Sequence, residues 1–289
     1  MSGFVELQVN GHGGIDFLSA QSVDEVRIAA RSLATHGVSH FLPTLITSNF
    51  EQLSHAAALI REVQANPGDG EAQILGLHLE GPFISEIKCG VHPHEYISKV
   101  DLEYARTLLA VGDVKIMTLA PELAGATELI SMLCDLGVIA SLGHSNATLK
   151  ESHAGFDAGA KTVTHLFNAM SKEGGLAEAA LSRDDVMIQI IVDDVHVPRE
   201  KVYEAISRSH GRFILTNDAV APAGLGDGRY AFGEMEIEIR DGQARRIDGT
   251  LAGGIGTLAE SLRILNQLGI DEKEAIASVT TRPRDLLTR

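Results

Sequence analysis

Residues 73–83 read QILGLHLEGPF, an apolar run that ends abruptly on His78, Glu80 and a Gly-Pro pair. The apolar part suits a strand buried on both faces, as in a parallel sheet covered by helices. Its polar end does not: a buried, unpaired carboxylate is costly, so Glu80 requires water, a cation or hydrogen-bond donors where the strand stops. Period-two alternation sets Gly76, His78 and Glu80 on one face, which places His78 below Glu80.

Seven more runs of this kind occur: FVELQVN (4–10), SHFLPTL (39–45), VKIMTLA (114–120), VIASLGH (138–144), TVTHLF (162–167), MIQIIVDD (187–194) and RFILTND (212–218). Between them, segments 22–37, 49–64, 126–137 and 198–211 carry helical spacing, several closed by glycine. Eight buried strands alternating with helices predict an α/β protein of the (β/α)8 TIM-barrel class. A doubly wound open sheet is the rival architecture. It would show five or six strands and a glycine fingerprint, and no GxGxxG follows the first run. After the eighth run, Glu234, Glu236 and Glu238 alternate with Met235, Ile237 and Ile239, predicting a half-exposed β-hairpin insertion at about 229–248. Two helices near 255–268 and 271–280 then complete a single catalytic domain over 1–289.

Composition narrows the partners. The chain has 289 residues, 44% hydrophobic and 22% charged, enough for one large core. Aromatic residues make up 4%, without Trp, which leaves no stacking platform for nucleic acid. A net charge of −15 opposes wrapping of a polyanion but allows a local pocket for a small phosphate. Cys89 and Cys134 form no CxxC pair and are expected to be reduced packing or loop thiols of a cytoplasmic protein. The start, MSGFVELQVNG, has neither the basic region nor the long apolar stretch of a signal peptide, and no run predicts a membrane span. Neither nucleic acid nor membrane is expected as a partner.

In a (β/α)8 barrel the active site is built at the carboxyl ends of the strands. Those ends carry Gln8 and Asn10, His78 and Glu80, His144, His165, Asp193 and Asp194 with His196, and Asp218. Taken singly, a strand-end histidine is usually a hydrogen-bonded structural residue. Together, Glu80, His144, His165 and Asp218 form a set of imidazoles and carboxylates suited to a divalent metal, zinc above all. His78 is expected to line the barrel below such a metal. His36, His55, His153 and His210 fall in or at the ends of helices and are expected to be solvated or capping residues.

The stretches HLEGPF (78–83), LGHSNAT (142–148), THLFNAM (164–170), VDDVH (192–196), LTNDAVAP (215–222) and LAGG (251–254) resemble the N-acetylglucosamine-6-phosphate deacetylases of the amidohydrolase superfamily. The resemblance runs from about residue 2 to residue 287. It implies hydrolysis of the acetamide of a 2-acetamido sugar 6-phosphate to acetate and the amino sugar phosphate, a step of amino sugar metabolism. It makes Glu80, His144 and His165 metal ligands and Asp218 the catalytic acid/base. It assigns substrate contacts to Val91, His92, Asn168, Ala169, His196, Leu251, Ala252 and Gly253. One divalent ion per chain is implied, Zn2+ first, with Fe2+, Mn2+ and Co2+ as the other candidates. The implied partners are a small-molecule amino sugar phosphate and, in assembly, a second copy in a homodimer.

Chemistry agrees with that assignment. An amide is a poor electrophile with a poor leaving group, so hydrolysis needs a strong nucleophile, a polarised carbonyl and a proton for the departing amine. A metal supplies the first two and a positioned carboxyl the third. His92 and His196 suit sugar hydroxyls or a developing oxyanion, and the backbone of Asn168 and Ala169 suits a phosphate. Three departures stand out. Many amidohydrolases carry HxH on strand 1, where this chain has Gln8-Val9-Asn10, so a second metal is not expected. Segment 171–181 offers only Lys172 where the family carries a phosphate-binding arginine. The family's small β-sandwich draws on flanks that this chain does not have, so most or all of it is expected to be missing. The alternatives are an N-acetylgalactosamine 6-phosphate, a non-phosphorylated N-acyl sugar or an N-acyl amino acid as substrate, and a non-catalytic metal- or sugar-binding barrel.

Overall fold

The computed structural model describes residues 3–171, 174–233 and 235–288. Eight strands form the central sheet: β1 (Phe4–Val9), β2 (Val38–Ile46), β3 (Leu77–Glu80), β4 (Val114–Leu119), β5 (Ile139–Leu142), β6 (Thr162–Val163), β7 (Met187–Ile190) and β8 (Phe213–Leu215). Each pairs in parallel with the next in chain order. The register sets Ile46 beside Glu80 and Glu80 beside Thr118, so the strand ends are level where the polar residues begin. Among the described residues no ladder joins β8 to β1. A single parallel bridge, Val9 to Ala219, closes the barrel, with Asn10 N–H donating to the Ala219 carbonyl at 2.7 Å.

The predicted strand over 73–80 is interrupted. Gln73–Ile74 pair with β2 as a short separate piece, and the chain re-enters the sheet at Leu77. Gly76 makes the break, at φ +144°; a side chain there would begin 2.5 Å from the Asp113 carbonyl oxygen.

Ten helices surround the strands among the described residues: α1 (Val23–Thr35), α2 (Phe50–Ala65), α3 (Leu102–Leu109), α4 (Ala126–Asp135), α5 (Leu149–Asp157), α6 (Leu176–Leu181), α7 (Arg199–Ser209), α8 (Leu258–Gln267), α9 (Glu272–Val279) and α10 (Thr281–Leu287). Their starts follow from capping chemistry: Ser22, Asn49, Asp101 and Asp271 accept backbone N–H groups of the first turn. Thr148 with Glu151 and Thr257 with Glu260 form reciprocal capping boxes. The larger apolar core fills the space between helices and sheet. A smaller one joins Val5, Leu7, Leu42, Ile116, Ile139, Met187 and Ile214 to Leu286 of α10. Most of these stand early in their strands, so this cluster plugs the amino end of the barrel and leaves the carboxyl end for polar residues.

The region after β8 holds β9 (Gly228–Phe232), β10 (Met235–Arg240) and β11 (Gln243–Arg246), a three-stranded antiparallel meander. Ile237 and Ile239 are buried and Glu236 and Glu238 exposed, the alternation read from the sequence; Glu234 lies outside the described residues. A bridge from Arg245 to Leu251 carries the meander's end back to the barrel mouth. Among the described residues there is no separate sandwich domain, and no helix is long and apolar enough to cross a membrane.

Candidate active site

A cavity of about 390 Å3 opens at the carboxyl ends of the strands. Glu80, Val91, His92, His144, His165, Asn168, Ala169, His196, Asp218, Leu251 and Gly253 all line it. Ala252 does not: its backbone N–H is turned back to the Ala244 carbonyl at 3.0 Å and its side chain is buried. Lys172 lies outside the described residues.

The centre is built on Glu80. Its Oε1 lies 3.2 Å from His144 Nε2 and 3.0 Å from His165 Nε2, and the two nitrogens are 3.2 Å apart. Tetrahedral bonds of about 2.0–2.1 Å separate ligand atoms by about 3.3 Å, so this triangle fits a small divalent cation without rearrangement. Charge points the same way. Burial alone would raise the Glu80 carboxyl, but the imidazoles of His144, His165 and His92 hold it well below the usual range. Burial would likewise lower His165, and contact with Glu80 raises it instead. Glu80 thus draws positive charge onto its partner, an attraction that a cation would satisfy more fully. His144 Nδ1–H donates to the Lys88 carbonyl at 2.9 Å, which leaves Nε2 as the lone-pair nitrogen facing the centre.

A second trio, Glu80, His92 and His144, also offers ligand atoms within 4.8 Å of one another. The shorter distances favour His165 over His92. His92 Nε2 stands 3.8 Å from Glu80 Oε2, and its Nδ1 meets the Thr47 hydroxyl at 2.8 Å and the Thr47 N–H at 3.4 Å. With Thr47 donating to Nδ1, the ring carries its proton on Nε2, as a donor aimed into the cavity. Burial lowers its pKa to about 4, so the ring is neutral.

Three residues leave their strands in the left-handed region: His144 at φ 45°, His165 at φ 31° and Asp218 at φ 50°. Such conformations are uncommon for non-glycine residues and gather at functional sites. Asp218 accepts from Asn10 Nδ2 at 2.7 Å, and burial together with the Glu80 charge raises its pKa to about 6. Gln8 Nε2 donates to Glu80 Oε1 at 3.0 Å. The side-chain amides of Gln8, in β1, and Asn10, just after it, therefore each donate to a carboxylate, and Gln8 Oε1 and Asn10 Oδ1 are left buried without partners. The N–H groups that face Glu80 and Asp218 offer a cation no lone pair, unlike the imidazoles of His144 and His165.

His78 lies below the centre, as read from the sequence. Its Nδ1 meets the Leu7 carbonyl at 3.0 Å and its Nε2 the Thr118 hydroxyl at 2.8 Å. His196 Nδ1 is held at 2.7 Å by Asp193, whose carboxylate also accepts the Val195 and His196 N–H groups, while Asp194 pairs with Arg199 outside the cavity.

Two features were not read from the sequence. Lys88 lines the cavity and is its one Lys or Arg among the described residues. The available signal was its place in KCGVH, on the loop that follows the strand-end glutamate. Cys89 Sγ lies 3.3 Å from His94 Nε2, a partner five residues along the same loop, although burial raises the thiol's pKa.

Comparison with known proteins agrees with this geometry. The amidohydrolase family model matches residues 2–288. The chain is 34% identical to an N-acetylglucosamine-6-phosphate deacetylase of Bos taurus, over 99% of this chain and 73% of that protein. It is 31% identical to an N-acetylgalactosamine-6-phosphate deacetylase of Escherichia coli O157:H7, over 98% of this chain and 77% of that protein. Among solved structures, a Mycobacterium smegmatis N-acetyl-D-glucosamine-6-phosphate deacetylase variant, in complex with N-acetyl-D-glucosamine-6-phosphate, superposes with a TM-score of 0.93. Sequence identity there is 32%, over 99% of this chain and 77% of that one. A parallel barrel whose mouth gathers a glutamate, four histidines and an aspartate, matched over nearly its whole length, places this chain in the amidohydrolase family.

Proposed function

We propose that the protein hydrolyses the acetamide of N-acetylglucosamine 6-phosphate, releasing acetate and glucosamine 6-phosphate. The observation that carries the reading is the convergence of Glu80, His144 and His165 on one point of a cavity that Asp218 also lines. Those three side chains would hold a single divalent cation, zinc by their donor set, and when bound it would supply Lewis acidity toward the carbonyl oxygen and a water molecule. Asp218 takes a proton from the attacking water as the new C–O bond forms. It returns that proton to the sugar nitrogen as the C–N bond breaks, so the nitrogen leaves as an amine and the acyl group as acetate. His92, neutral and protonated on Nε2, donates to the carbonyl oxygen as negative charge develops there. His196, oriented by Asp193, binds a sugar hydroxyl. Lys88 and the backbone at Asn168 and Ala169 face the phosphate; one charge-assisted contact of this kind is worth about 1.5–3 kcal/mol.

The resemblance to an N-acetylgalactosamine-6-phosphate deacetylase supports a second reading in which the other epimer is the substrate. Acetate release from both N-acetyl hexosamine 6-phosphates and from their dephosphorylated forms separates the readings. Fast turnover of the gluco epimer alone supports the first. Preference for the galacto epimer supports the second, and no acetate from any of the four sinks both. The unpaired thiols Cys89 and Cys134 suit a reducing, cytoplasmic setting for this step.

A further inference from the structure

Glu6 is a buried carboxylate that the reaction above leaves unused. It stands on β1, 1% exposed, and four hydrogen bonds are donated to it. They come from the Thr216 hydroxyl at 2.6 Å, Asn217 N–H at 3.1 Å, Leu7 N–H at 3.1 Å and Gln8 N–H at 3.4 Å. Burial pushes the carboxyl up to about 7 against those four donors. A group so costly to bury stands where an apolar residue could pack, unless its bonds hold something in place.

What it holds is the approach to Asp218. A hydroxyl has one hydrogen, and that of Thr216 goes to Glu6, so its lone pairs face the other way. There they receive the backbone N–H of Asp218 at 3.4 Å. On the far side, the Asp218 carbonyl accepts from Gly254 N–H at 2.9 Å. Among the described residues no ladder joins β8 to β1, so the Glu6 carboxylate ties Thr216 and Asn217, just past β8, across the gap, below the Val9–Ala219 bridge and the Asn10–Asp218 bond. Asp218 itself sits at φ 50°, a conformation that persists only where the surroundings over-determine it.

We propose that Glu6 is a positioning residue for the hydrolysis, fixing the turn from Thr216 to Asp218 through the Thr216 hydroxyl and so aiming the Asp218 carboxylate. The inference rests on the deacetylase reading. Its test is kcat, KM and bound metal for the intact metal-loaded chain and for Glu6→Gln, Thr216→Val, Thr216→Ser and the Glu6→Gln/Thr216→Val double variant. Glu6→Gln and Thr216→Val should each lower kcat per metal-loaded site by about 10-fold or more, with KM and metal content unchanged, because small misplacements at a reacting centre are costly. The double variant should be no slower than the slower single: whichever way its amide lies, Glu6→Gln sets an N–H against one of the donors now bound, and Thr216→Val removes the hydroxyl, so both changes loosen one turn. Thr216→Ser keeps the hydroxyl and should stay within about twofold of the parent. Singles with unchanged kcat per loaded site, or a double whose loss is the product of the two, would overturn the proposal. If Glu6→Gln does not fold, equal kcat for Thr216→Val and Thr216→Ser overturns it, and a slow Val beside a normal Ser supports it. A parent chain that releases no acetate removes the deacetylase reading and this inference together, whereas an active parent with unaffected variants removes the inference alone.

Discussion

Asn10 donates its side-chain amide to the Asp218 carboxylate across 2.7 Å, joining the end of the first barrel strand to the end of the last. The bond goes to Oδ1 and leaves the rest of the carboxylate for other work. Asp218 is thus held without being neutralised, as a proton carrier must be.

Replacing Asp218 with Asn should preserve that bond, because the Asn oxygen can still accept from Asn10. Metal content and substrate binding should be retained while kcat falls on the order of 10²-fold or more, the usual contribution of a positioned acid/base. Near-normal turnover in the variant would remove Asp218 from the mechanism.

The purified protein should hold about one divalent ion per chain, since the possible ligand trios among the described residues share Glu80 and His144 and so mark a single centre. Elemental analysis after gel filtration tests this directly. Two tightly held ions would mean that Gln8 and Asn10 do not exclude a second one.

The Asp218 carboxyl, raised from 3.8 to about 6, is protonated below that pH and serves as a base only above it. A cation at Glu80 pulls the value down, so the acid limb of kcat/KM should lie at or below about 6. Linkage gives a second readout in the metal-free protein. A raised folded-state pKa stabilises the fold below the unfolded value, and that contribution is lost as pH rises through the folded one. Metal-free Asp218→Asn should therefore melt above its metal-free parent at pH 8, and the gap should close as pH falls through about 6 toward 3.8. A gap that does not change with pH would contradict the raised pKa.

Lys88→Ala should raise KM for the 6-phosphate substrate about 10-fold or more, the loss of one charge-assisted contact, and leave the dephosphorylated analogue unaffected. Asn168 and Lys172 are expected to show the same selectivity if they share the phosphate. Equal effects on both substrates would move these residues elsewhere in the cavity.

His196→Asn should lower activity with the metal in place, because His196 is tied to Asp193 and not to the Glu80 centre. Loss of metal on this change would make it a ligand.

Much of this site could be read from residue order because a (β/α)8 barrel turns strand ends into neighbours. Once the strands were counted, Glu80, His144, His165 and Asp218 had to meet, whatever their separation in sequence. What escaped depended on loops. Lys88 reaches the cavity because His144 ties the loop by its carbonyl, a contact that no period in the sequence announces. Ala252 was carried over with its neighbours Leu251 and Gly253, yet backbone pairing to Ala244 turns it from the wall. The split at Gly76 and the extra strand of the meander are local backbone events, and apolar patterning is blind to them. Glu6 drew no notice because one charged residue in an apolar run reads as an exposed position until the partner 210 residues away is known.

The single bridge between Val9 and Ala219 also bears on how the molecule comes to be active. Glu80, His144 and His165 belong to strands 3 to 6, which are consecutive neighbours and can come together while the rest of the chain is still unordered. Asp218 and its supports Glu6 and Asn10 meet only when the two ends of the strand order join, a loop closure between residues 208 positions apart or more. An intermediate that is compact, helical and able to take up metal would still lack its proton carrier. Metal uptake should precede the recovery of turnover on refolding, and the interval between them measures the time the barrel takes to close.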